Sequence, residues 1–211
     1  MSRYLATLLF AFSAVALGSS GNISRVNSNI TVDPGQQAGD VSTVNGSIRI
    51  GDDARVRNVE TVNGSIKIGQ RAQAQEAETV NGGIWLAEGT VVTADVSTVN
   101  GGLTLGIGAR VDGGLETVNG DLVLDGAMVR EGLATVNGDI RIGAGSRVDG
   151  GILVEKPSGW TWQKSQRLPR VTIESGAVVN GTLKFEREVE LRVADGAVIG
   201  PIEGVAPQRV R

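Results

Sequence analysis

Asp121 and Asp139 are the residues best placed by type and spacing to do chemistry. They stand 18 residues apart at the same point of a repeated phrase, NGDL and NGDI. If that phrase marks stacked layers, the two carboxylates lie about 5 Å apart, the separation at which an acid pair acts on a glycosidic bond. Polysaccharide lyase or hydrolase chemistry is the reaction class this pair would serve. The absences say more. The 211-residue chain has no His and no Cys, which excludes imidazole bases, His- or Cys-bound zinc and thiol chemistry. Stacked aspartates can also hold calcium, but no nine-residue calcium-binding repeat is present. With no long catalytic loop beside the pair, the expectation is a non-enzymatic protein with no cofactor and no metal.

A second candidate site is an aromatic pair. Trp160 and Trp162 are two of three tryptophans and are followed by Lys164 and Arg167. Alternate tryptophans on a protruding segment can stack on sugars or anchor a protein partner. A polysaccharide or an envelope protein is the partner expected for these four residues. A loop folded back to cover the solenoid side is the favoured reading of the segment, with partner contact the alternative.

The elements that must position these groups are repeats. TVNG begins at Thr43, Thr61, Thr79, Thr98, Thr117 and Thr135, at intervals of 18 or 19 residues. Isoleucine or leucine pairs two apart follow it, from Ile48/Ile50 to Ile140/Ile142. Small-then-apolar pairs such as Ala54/Val56 and Ala109/Val111 come next, then one apolar residue such as Val59 or Leu115. Spacing by two denotes strands with alternate residues inward. Three short strands per period make one coil of a solenoid, since no single coil can bury its own core. The predicted fold is all-β: a single-domain, triangular parallel β-helix of about nine coils, whose 19-residue coils favour the right-handed sense without fixing it. Residues 24–42 form a degenerate first coil, 155–170 an inserted loop or hairpin, and 205–211 a C-terminal tail, with the β-helix spanning 19–204.

Stacking places Asn45, Asn63, Asn81, Asn100, Asn119 and Asn137 over one another, each able to donate to its neighbour's amide oxygen. The sequence predicts this structural Asn ladder, with Asn-Gly turning a corner at positive φ and the threonines adding a hydroxyl ladder. Outward columns carry Arg49, Lys67 and Trp85 on one face and Glu60, Glu78 and Glu116 on another. One face is therefore partly basic and another partly acidic, a complementarity able to order rods side by side.

Residues 1–18 read as a secretory leader: Arg3, an uncharged apolar stretch over 4–17, and small Ala16 and Gly18 at the cleavage site. Fourteen residues are short for a membrane span, which needs about 20. The expectation is an exported chain, periplasmic or secreted, with no integral membrane span after leader removal. Its formal charge of −3 becomes −4 when Arg3 is removed, and dispersed Lys and Arg give no sign of nucleic acid.

At VTIESGAVVNGTLKFEREVELRVADGAVIG (171–200) and LGIGARVDGGLETVNG (105–120) the chain resembles bactofilins, bacterial polymer-forming proteins with a right-handed triangular β-helix core. It is also similar to exported proteobacterial proteins bearing the same TVNG repeats. The resemblance implies self-association and a structural role in the cell envelope, with no catalytic residues to carry over.

Overall fold

The computed structural model describes residues 21–157 and 167–209. They form three parallel sheets of ten, ten and seven strands that share one hydrophobic core, and no helix occurs among them. The chain is a parallel β-solenoid of about nine turns. Every pairing joins a strand to its counterpart one coil away, so the register is the repeat itself: Val59 against Val41 and Ala77, Ile66 against Ile48 and Ile84.

The first sheet holds the TVN residues, in strands such as Asn58–Asn63 and Val96–Asn100. The second holds the aliphatic pairs, in strands such as Ile66–Ile68 and Leu103–Leu105. The third is built of two-residue strands such as Val91–Val92 and Arg110–Val111. Inward columns of Ile, Leu, Val and Ala are buried from Ile30 to Leu191 in one continuous cluster. Such β-branched and aliphatic layers suit a pleated surface covered on its inner side.

Two coil corners are made by different physics. The first to second strand corner contains Asn-Gly, and its glycines have no positive φ. The expectation of a left-handed Asn-Gly turn is thus corrected: Gly is needed there for close approach. A Cβ on Gly64 would overlap the carbonyl oxygen of Gly46 in the preceding coil, and Gly82, Gly101, Gly120 and Gly138 repeat that contact. The same Gly46 oxygen accepts the buried hydroxyl of Thr61 at 2.9 Å. Thr and Gly of the motif therefore close on one carbonyl. The threonines form no hydroxyl ladder. Those before Thr135 instead donate to the backbone below, Thr79 to Gly64, Thr98 to Gly82 and Thr117 to Gly101, at 2.9–3.0 Å.

The left-handed corner lies after the aliphatic pair, at Gly89, Gly108, Gly126, Gly145 and Gly176. Asp53 and Arg71 take that conformation without being glycine, at φ 57° and 54°. They are bridged to each other across adjacent coils, with Arg71 Nη2 2.8 Å from Asp53 Oδ2.

Thr135 ends its column. The next residue in register is Val154, and among the described residues the Thr135 hydroxyl has no acceptor. Thr135→Val should stabilise the fold by about 1 kcal/mol, because a buried unpaired hydroxyl is removed without changing shape. Thr98→Val should cost about as much, since it strands the Gly82 carbonyl. Urea denaturation midpoints of the two variants check the opposite signs.

The solenoid also runs past the expected tail boundary at 205. Gln208–Arg209 pairs with Glu190 and Leu191 as a last strand of the second sheet, because backbone pairing needs no particular side-chain pattern.

Candidate functional site

The asparagines stand in file. Asn63 donates from Nδ2 to Asn45 Oδ1 at 2.8 Å, Asn81 to Asn63 at 2.9 Å, Asn100 to Asn81 at 2.9 Å, Asn119 to Asn100 at 2.9 Å and Asn137 to Asn119 at 3.1 Å. Asn27 adds a rung below, accepting from Asn45 at 2.8 Å. All six TVNG asparagines are solvent-exposed, and the chain of amides holds the corner of each coil over the next. Each amide oxygen from Asn45 to Asn119 accepts from the next amide and Asn137 Oδ1 accepts from Arg187 Nη1 at 2.9 Å, which is the use of a structural ladder.

Asp121 and Asp139 occupy adjacent coils as their spacing requires, and both act as caps. Asp121 Oδ1 accepts the backbone N–H of Asp139 at 2.8 Å, and Asp139 Oδ1 accepts that of Arg170 at 3.0 Å. Asp139 Oδ2 also pairs with the guanidinium of Arg167. Asp95 caps Gly114 and Asp52 caps Gln70 in the same inter-coil manner, at 2.7 and 2.8 Å. These carboxylates are held against backbone donors and turned along the stack. Of the aromatic candidate site only Arg167 belongs to the described residues; Trp160, Trp162 and Lys164 lie outside them.

A third location emerges only in the fold. On the outer side of the first sheet a groove of about 360 Å³ runs over Ala134 and Leu153, with Glu116 and Glu131 on one wall and Lys184 and Glu186 on another. Small residues open it. Gly114, Gly132 and Gly151 stand along one edge where the turn into the first sheet passes. The signal in the sequence is the Gly-Gly pairs at 113–114 and 150–151, which mark turns without telling what lies outside them.

The groove opens on an acidic surface. Burial pushes the Glu116 carboxyl up to about 7, with Asp95, Glu155 and Glu131 adding repulsion. Burial likewise pushes Glu78 up to about 7, helped by the neighbouring Glu76 and Glu60 carboxylates, and Glu60 is raised for the same first reason. In-register stacking causes the crowding: Glu60 and Glu78 are directly paired across adjacent strands, a like-charge contact that costs stability when both are ionised.

A carboxyl that holds its proton more tightly when folded stabilises the fold below its ordinary value of 4.5, and that contribution is lost as pH rises through about 7. Glu78→Gln should therefore raise the melting temperature at pH 8 and leave it nearly unchanged at pH 4.5. For a half-exposed group the gain is about 1 kcal/mol after screening. Thermal denaturation followed by circular dichroism at both pH values tests this; an equal shift at the two would rule out titration as its source.

Among the described residues no group of three or more His, Cys, Asp or Glu is placed to hold a metal ion, and no helix is long and apolar enough to cross a membrane. The geometry thus offers stacked structural amides and charged sheet faces that repeat at the coil spacing, and one groove lined by three glutamates and a lysine. No family model, no curated protein and no solved structure matches the chain.

Proposed function

We propose that this chain is a non-enzymatic, exported structural or interaction module of the cell envelope, bactofilin-like in kind, that assembles end to end through its solenoid. The observation that carries this is the state of the last coil. Ile173, Ala177, Val179 and Leu183 are fully buried. Their in-register successors Val193, Ile199 and Ile202, together with Ala197, lose that cover within one coil. Val193 is 36% exposed. Among the described residues the three sheets end in edge strands at this end of the stack, and an edge strand invites another strand. A terminal coil with an apolar core cross-section and open edges is the reverse of a solubilising cap. The leader-like residues 1–18 support the exported placement.

Electron microscopy and sedimentation velocity of the purified protein test the assembly. Growth into rods longer than about 43 Å, the length of nine coils at about 4.8 Å each, is the expected result. Ile202→Lys with Val193→Lys should stop it while leaving the strand signal in circular dichroism. A wild-type protein that stays monomeric at every concentration rejects end-to-end growth.

A further inference from the structure

We infer that copies of this chain also pack side by side, the acidic outer face of the first sheet of one against the basic outer face of the second sheet of another. Both halves of the contact are on one molecule. The outward column of the second sheet, from Thr31 to Arg192, contains no acidic residue. Among the described residues its Arg49 and Lys67 have no carboxylate within ion-pair distance, and Trp85 next to them is 55% exposed. The outward column of the first sheet carries Glu60, Glu78, Glu116 and Glu203, and Glu60 and Glu78 have no cation in ion-pair contact there.

Because both columns advance one residue per coil, they share one axial repeat, and opposed rungs stay in step along the rod. Register then decides the match. With axes parallel, each acidic-face rung can face the basic-face rung that precedes it in the chain. That register sets Glu60 against Arg49, Glu78 against Lys67 and Glu203 against Arg192. It also puts Ala134 on Val123 and Lys184 on Thr172, with no like-charge pair anywhere. Moving one coil either way retains a single opposite-charge pair and sets Lys184 against Arg192 or Arg141. Glu78, crowded by Glu60 and Glu76, gains most from a facing ammonium.

The area is sufficient for a weak contact. Nine opposed rungs, eight coil spacings, span about 38 Å, and a face about 15 Å wide gives roughly 600 Å² per partner, at the lower edge of specific interfaces. The two faces differ, so the contact is heterologous and leaves a free acidic and a free basic face on every pair, which propagates it. Resting on the self-association proposed above, it uses the sheet faces in place of the coil ends.

Two charge-reversed proteins test it. Arg49→Glu with Lys67→Glu removes the basic face; Glu60→Lys with Glu78→Lys removes the acidic one. All four positions point outward, and unchanged circular dichroism confirms that each variant is folded. Sedimentation velocity of an Ile202→Lys, Val193→Lys background silences the coil ends and reads the faces alone. In that background the wild-type faces should associate at low salt and dissociate at high salt, since exposed charge pairs are screened. Each reversed protein should lose association at least about tenfold. Mixed together, the two should associate again, because the acidic faces of one meet the basic faces of the other in the same register, whether native or reversed. Association of either variant as strong as wild type, or a mixture that stays monomeric, overturns the lateral contact and leaves end-to-end growth untouched.

Discussion

Gly82→Ala should unfold or uncouple the middle of this solenoid at a cost of at least about 3 kcal/mol, whereas Gly145→Ala should cost about 1 kcal/mol. The chemical change is identical; the surroundings are not. A Cβ on Gly82 would overlap the carbonyl oxygen of Gly64, which is rigid backbone and already accepts the Thr79 hydroxyl at 3.0 Å. Relief requires lifting one coil off the next, which breaks that hydrogen bond and stretches the Asn81–Asn63 amide contact beside it. In a stack where each coil touches only its neighbours, the damage falls on the coupling of the two halves. Gly145 has open space around its missing Cβ and suffers only from φ +72°, a backbone strain. For a chain of this size the two costs correspond to melting shifts of about 6–12 °C and about 2–4 °C. Parallel calorimetry of both variants reads the ratio, and equal shifts would refute close approach as the reason for Gly in TVNG.

Phe185→Ala should destabilise the C-terminal coils by about 3–5 kcal/mol while leaving the N-terminal ones folded. Phe185 is fully buried and is the largest such side chain in the core. It fills the column that threonines occupy in earlier coils: Thr135 pairs with Val154, Val154 with Phe185, and Phe185 with Gly204. With glycine above and valine below, no neighbour can swing in to occupy the vacated volume, so the cavity persists. Hydrogen exchange should rise across residues 171–209 and stay at wild-type levels across 41–119, because neighbour-only contacts confine the loss. Phe185→Leu, which keeps most of the volume, should cost under about 1.5 kcal/mol. Uniform loss of protection along the rod would show the solenoid to be a single cooperative unit.

Much of the fold was legible beforehand for one reason: a repeat that must stack fixes its own register. Once Ile48/Ile50 and Ile66/Ile68 were recognised as equivalent, their pairing followed, and so did the file of asparagines. Alternation likewise separated inward Ile66 and Ile68 from outward Lys67. The reason for Gly in Asn-Gly was not legible. Local propensity associates that pair with positive φ, yet those glycines answer to a carbonyl one coil away, and the left-handed corner sits at Gly89 and its equivalents. The Thr column was misjudged similarly, since an inward hydroxyl seeks the nearest unpaired acceptor, which is a glycine carbonyl.

By itself, then, the sequence determined the coil, its three sides, the inward columns and the order of charges along each face, because these depend on periodicities of two and of 18 or 19 residues. Only the tertiary structure decided what those residues touch. It turned Asp121 and Asp139 into caps on backbone donors, crowded Glu60 against Glu78, opened a groove beside Glu116 and left the last coil's core only partly covered. Each depends on distances between side chains or coils remote in sequence. Spacing along the chain states which residues are neighbours, and only their positions in space state how close.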